Sequence, residues 1–263
     1  MRPPGGRVGR GPGRKRPGPD WVQVVRTDQG ERLQSAQDRH ISTLPAPPRP
    51  LYTRLMSRTI LVFGDSNTYG TPPMRDRSYH PRLPRRWPVV LSEITGAEVI
   101  EEGLGGRTAC AQPAGSVEPH LDGQLGLRIA LMSHGPIDDL VIMLGSNDLQ
   151  LRHGKGAEAI AAGLAGLLVM AHDPDMQARH GGFATTLIAP PHPVEAGTFA
   201  RDFHRGPAKA TALAGEIERL AALYGCGFLD AAAHVAVSPV DGIHFDAEAH
   251  DALGQAVADY LVA

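Results

Sequence analysis

"ILVFGDSNTYG", residues 60–70, begins with four apolar residues and changes character at Gly64-Asp65-Ser66-Asn67, residue types that favour turns. A short continuous apolar run closed by turn residues reads as a buried strand. Four later stretches repeat the form: "EVIEE" (98–102), "DLVIML" (139–144), "ATTLIAP" (184–190) and "GFLD" (227–230). Helix-length patterns separate or follow them, over 88–95, 121–133, 157–171, 209–224 and 247–262. Strict alternation of strand and helix implies right-handed crossovers. The sequence therefore predicts the α/β class, a three-layer α/β/α sandwich around a five-stranded parallel sheet. In such sheets the functional groups gather at the carboxyl ends of the strands, so each candidate motif is judged by that position.

Composition narrows what the sheet can serve. At 263 residues the chain has room for one full-sized core with an appendage. Its 42% hydrophobic and 21% charged content is that of a soluble globular protein, and no apolar run is long enough to span a bilayer. Two cysteines, Cys110 and Cys226, are too few for a disulfide framework and form no metal-ligand pair. We therefore expect two small buried thiols, which fits a cytoplasmic protein.

The net charge of −2 conceals a division. Residues 1–55 carry eleven Lys and Arg against four Asp and Glu, whereas the rest carries fifteen against twenty-four. The basic part opens "MRPPGGRVGRGPGRKRPGPD", a Gly/Pro/Arg mixture without hydrophobic period, which reads as disordered because it cannot bury enough apolar surface to offset its ordering entropy. It has no apolar core of the secretory type. "MSRTILVFGDS" reads as a natural chain start at Met56, which would make residues 1–55 translated upstream sequence rather than part of the native protein. The expected organisation is thus a tail over 1–55 and one folded domain over 56–263.

Ser66 lies three residues beyond Phe63, the last apolar residue of the first strand, on the turn that leaves it. A strand-to-helix turn can lift a serine hydroxyl clear of the sheet among free backbone N–H groups, as an acyl-transfer nucleophile requires. Gly-Asp-Ser at a strand end also fits a helix N-cap or an Asx-turn. A nucleophilic serine needs a base oriented by a carboxylate. "VDGIHFDAEAH" supplies both, since Asp241 and His244 stand three apart across Gly242, just before the last helix. After the central strand, "LGSNDL" (144–149) offers the Asn147 amide as an oxyanion donor. "EEGLGGRTA" (101–109) offers backbone N–H groups at Gly105 or Gly106, between which the residues alone do not choose.

In order, "FGDSNTYG", "GLGGRT", "GSND" and "DGIHF" resemble the four sequence blocks of the SGNH (GDSL) hydrolases. "VIEEGLGGRT", "DLVIMLGSND" and "VDGIHF" are most similar to the small bacterial arylesterase/acyltransferase branch, and the resemblance spans about residues 58–262. It implies a flavodoxin-like SGNH fold and a carboxylester hydrolase of small acyl or aryl esters that needs no cofactor. By the same analogy Ser66 is the nucleophile, His244 the base and Asp241 its orienting carboxylate. The oxyanion hole comprises the Ser66 and Gly106 N–H groups and the Asn147 side chain. The branch also implies acyl transfer to alcohols and assembly into homo-oligomers.

Asn67, Tyr69 and Gly105 depart from the branch's usual residues where an acyl or alcohol group is expected, which leaves substrate preference open. Tyr69 and Trp87 are candidate substrate-binding residues, and with Pro72 and Pro73 form an apolar set that could shelter an alcohol from water. Met74 and Tyr79 are further candidates for the entrance. The region after "APPHP" (189–193) is expected to form part of the pocket rim. Carbohydrate O-acetyl ester hydrolysis is the alternative enzymatic reading. From other classes come a catalytically silent binding module and nucleic-acid binding through the basic tail, the latter opposed by an acidic body that repels phosphate.

Overall fold

The computed structural model describes residues 58–78, 81–112 and 115–263. The tail expected over 1–55, the start at Met56 and the candidate Tyr79 lie outside the described residues.

Each apolar run identified above forms a strand: β1 (Thr59–Gly64), β2 (Glu98–Gly103), β3 (Asp139–Met143), β4 (Ala184–Ala189) and β5 (Gly227–Asp230). All pair in parallel, in the order β2-β1-β3-β4-β5. The order reverses between β1 and β3, and open α/β sheets place their ligands in the crevice at such a switch point. The helices are α1 (Ser66–Tyr69), α2 (Trp87–Thr95), α3 (Gly123–Ser133), α4 (Ala157–Ala171), α5 (Pro174–His180), α6 (Gly206–Tyr224) and α7 (Ala247–Val262).

Alternation along β1 divides the core. Leu61 and Phe63 join Leu127, Leu164, Leu168 and Leu213 on the side of α3, α4 and α6. Ile60 and Val62 join Leu91, Phe245, Leu253 and Val257 on the side of α2 and α7. Continuous burial along β1, with successive side chains facing opposite layers, is what a strand covered on both faces requires.

Two helices depart from the sequence reading. Ser66 begins a four-residue helix rather than lying on a simple turn, because Asp65 caps it by accepting from Asn67 N at 3.0 Å. The unpredicted α5 carries standard start and stop signals: Asp173 as N-cap, Pro174 in the first turn and Gly181 in the left-handed conformation at its end. Its shortness and lack of a strong apolar period hid them.

Trp87 is corrected here. It is fully buried at the start of α2, in the cluster containing Leu91 and Phe245, and its backbone N–H donates to His250 Nδ1 at 3.3 Å. An indole between a proline-started helix and the sheet fills core volume and exposes no surface to a ligand. Trp87→Ala is expected to lower stability by about 3–5 kcal/mol in urea unfolding, as for other buried aromatic truncations. A raised KM with unchanged stability would return Trp87 to the pocket wall.

Candidate active site

The carboxyl ends of β1, β2 and β3 and the loop before α7 converge on one cavity of about 340 Å³. Ser66 arrives from β1, Gly105 and Gly106 from the loop after β2, Asn147 from the turn after β3, and Ile243 and His244 from the last loop.

That last loop is shaped by Asp241. Its Oδ1 accepts from the Ile243 and His244 backbone N–H groups, both at 3.0 Å, and its Oδ2 accepts from His244 Nδ1 and Met74 N, both at 2.7 Å. Gly242 makes the turn possible: its φ is +86°, and a Cβ there would meet the Val194 and Ala196 carbonyls at 2.5 Å. Because a carboxylate only accepts, Nδ1 carries the imidazole proton and Nε2 is left as acceptor. His244 Nε2 lies 3.0 Å from Ser66 Oγ, so the serine hydroxyl donates to it. Burial opposes ionisation of Asp241, but the His244 hydrogen bonds and charge outweigh it and hold the carboxyl below its ordinary range. All three side chains are buried, and the Phe199 ring meets the imidazole edge-on at 6.0 Å.

Donors surround the same point. Ser66 is the first residue of α1, so its N–H has no intrahelical acceptor. Gly106 has φ +81°, and among the described residues its N–H has no acceptor. Asn147 Nδ2 donates to the Arg107 carbonyl at 3.0 Å and lies 3.4 Å from Asp65 Oδ2, while its Oδ1 accepts from Gln150 Nε2 at 3.0 Å. Burial pushes the Asp65 carboxyl up to about 6.

Two neighbours hold the frame. Arg107 stacks on Phe63 at 4.1 Å, with its guanidinium donating to the Gly64 and Glu102 carbonyls, which ties the glycine loop to β1 and β2. Asp148, fully buried, accepts from the Ala109 and Cys110 N–H groups at 2.8 and 3.1 Å and from Lys155 at 3.3 Å. It clamps the turn that carries Asn147 to the loop that carries Gly106. The sequence reading passed over Asp148, although it adjoins Asn147 in a motif already quoted.

Tyr69 lies outside the cavity wall and packs under the Arg82 guanidinium, 5.0 Å from its ring centre. Asn67 is buried and donates to the Ile243 carbonyl at 3.0 Å, joining the Ser66 turn to the His244 loop instead of facing a ligand. Of the expected apolar shelter, Tyr69, Pro72, Pro73 and Trp87 are all absent from the lining. Gly105 and Met74 do line the cavity, as do Phe199, Asp202 and Phe203 from the expected rim region. Gln150 also lines it; it stands three residues beyond Asn147 along successive tight turns, a spacing that brings side chains to one side. Among the described residues no three His, Cys, Asp or Glu side chains converge as a metal site, and no helix is long and apolar enough to cross a membrane.

Comparison with known proteins bears on this constellation. The GDSL-like lipase/acylhydrolase family matches residues 62–252, which include Ser66, Gly106, Asn147, Asp241 and His244. The chain belongs to that family. No curated protein matches it. Among solved structures it is similar to the aryl esterase of M. smegmatis, at 31% identity and a TM-score of 0.73, over 78% of this chain and 99% of that one. Est24, a carbohydrate acetylesterase from Sinorhizobium meliloti, matches at 30% identity and a TM-score of 0.73 over the same shares. An Agrobacterium tumefaciens protein matches at 37% identity, with a TM-score of 0.69 over 78% and 98%. The five-stranded parallel sheet is therefore the SGNH hydrolase fold, and the chemistry of the family is that of a carboxylic ester hydrolase.

Proposed function

We propose that the protein cleaves small acyl or aryl carboxylic esters through an acyl-enzyme on Ser66. The observation that carries the reading is the unbroken relay from Asp241 through His244 Nδ1 at 2.7 Å to Ser66 Oγ at 3.0 Å. Ser66 Oγ attacks the ester carbonyl while its proton passes to His244 Nε2, and Asp241 stabilises the imidazolium that forms. The tetrahedral oxyanion is held by the Ser66 and Gly106 N–H groups and by Asn147 Nδ2. One Asn147 hydrogen stays on the Arg107 carbonyl; the other, at the long limit of a hydrogen bond to Asp65, is the one free to turn to the oxyanion. His244 then protonates the leaving alcohol, and water releases the acid. No step calls on a cofactor.

The cavity is at the small end of ligand-binding sites, which favours short acyl chains. A p-nitrophenyl ester series should show kcat/KM falling beyond short chains, and a flat or rising profile overturns the small-ester assignment. Sugar O-acetyl ester hydrolysis is retained as a second reading because Thr71, Gln150, Arg152 and Asp202 give the wall polar groups suited to hydroxyls, and because of the likeness to Est24. Acetylated sugars run beside the aryl acetates separate the two. Acyl transfer to alcohols is tested by supplying benzyl alcohol with vinyl acetate; with the expected apolar shelter away from the cavity, we expect free acetate to dominate.

Asn147→Ala should lower kcat by roughly 10²–10³-fold with a smaller change in KM, because the donor acts chiefly on charge that develops in the transition state. A change confined to KM would make Asn147 a ground-state binding residue instead.

A further inference from the structure

Three side chains with fixed charges line the cavity: Arg77, Asp202 and Arg152. Arg77 and Asp202 form an ion pair, and the Arg77 guanidinium also lies over Phe199 at 4.7 Å, so these two neutralise each other and hold one wall. Arg152 is exposed and, among the described residues, has no acidic partner. Lys155 nearby is already committed to Asp148, and the ionised Asp241 is fully buried behind His244. The cavity wall therefore carries one uncompensated positive charge, set in a body where Asp and Glu outnumber Lys and Arg. Met74, Phe199, Phe203 and Ile243 supply an apolar surface in the same cavity.

We propose that the site selects esters bearing a carboxylate, with the anion on Arg152 and the hydrocarbon against that apolar surface. This rests on the esterase reading above and specifies its substrate class. A guanidinium presents paired N–H donors that match a carboxylate's two oxygens, and the one carboxylate lining the wall among the described residues, Asp202, is paired with Arg77. Attraction in an open mouth is weakened by water and salt, so the preference is moderate and depends on ionic strength.

Two ester pairs distinguish which side of the scissile bond carries the charge: 4-acetoxybenzoate against 4-acetoxybenzamide, and monophenyl succinate against phenyl butyrate. At low ionic strength at least one anionic ester should exceed its neutral partner in kcat/KM by about two- to fivefold, the size expected of one exposed ion pair. Arg152→Gln should bring that ratio to one or below, Arg152→Lys should keep part of it, and 0.5 M NaCl should flatten it. The binding arm needs no turnover: on the Ser66→Ala protein, calorimetry should find the anion bound more tightly than its neutral partner in at least one of two pairs, 4-hydroxybenzoate against 4-hydroxybenzamide and monophenyl succinate against phenyl butyrate, and the difference should vanish in the Ser66→Ala, Arg152→Gln double variant. Equal binding within both pairs, or a preference that survives Arg152→Gln, overturns the proposal whether or not the protein proves to be an esterase. Persistent ester cleavage by Ser66→Ala overturns the acyl-enzyme reading while the binding comparison still decides the role of Arg152.

Discussion

Ser66→Ala is expected to lower kcat/KM for p-nitrophenyl acetate by at least about 10³-fold while the melting temperature stays close to that of the parent. Removing Oγ deletes the atom proposed to form the covalent bond, and among the described residues no second hydroxyl or thiol lining the cavity is paired with His244. The fold should tolerate the change, because the side chain is small and its hydrogen bond runs to a histidine already held by Asp241. The residual rate reflects what the oxyanion donors and bound geometry achieve without a nucleophile. A Ser66→Ala protein that retains a rate within tenfold of the parent and shows no acyl adduct by mass spectrometry in either form would place the chemistry elsewhere.

Asp241→Asn is expected to cost up to about 10⁴-fold in kcat, the scale seen when a triad carboxylate becomes an amide. The carboxylate accepts four hydrogen bonds here, two on each oxygen. An asparagine has one acceptor oxygen, so either orientation turns an NH₂ group against two N–H donors. If the amide nitrogen faces His244, the imidazole accepts at Nδ1 and carries its proton at Nε2, which leaves no base towards Ser66. If it faces the backbone, the Ile243 and His244 N–H groups lose their acceptor and the loop loosens. Stability should fall as well, since each buried unpaired donor costs about 1–3 kcal/mol. Because the Asp241 pKa is depressed in the folded state, its ionisation adds stability above the ordinary carboxylate value of 3.8, and that contribution disappears as pH falls through the lower folded value. Near-parent turnover by Asp241→Asn would mean that His244 is oriented by something other than this carboxylate.

Much of this could be read along the chain because the signals are local. A buried strand announces itself as a continuous apolar run, and all five did so. The pairing of Asp241 with His244 was legible because three residues and a glycine close the contact within one turn. Three of the four short motifs could be placed at strand ends because each follows its strand immediately, and the fourth stands in the loop before α7.

The misreadings concern direction and distance. An aromatic residue near the nucleophile in sequence suits a pocket wall or a core equally well, and only packing of α2 on α7 turns Trp87 inward. Tyr69 points to Arg82 because Glu101 brings Arg82 alongside, a contact between β2 and the segment after α1 that no local pattern encodes. Phe199, Asp202 and Phe203 carried no residue-level signal of their own, since the loop before α6 joins the site only by folding back over it.

The sequence by itself determined the strand runs, the order of chemical groups at their ends and the tight Asp241–His244 turn, because propensity, period and turn chemistry act over a few residues. Tertiary structure alone decided that His244 meets Ser66 across 178 positions, that Asp148 fastens Asn147 to the glycine loop, and that Arg152 has no acidic partner among the described residues while Arg77 and Asp202 neutralise each other. These facts depend on the parallel register of β2, β1 and β3 and on how the connecting loops pack above it, which arise from the whole chain burying its apolar surface at once.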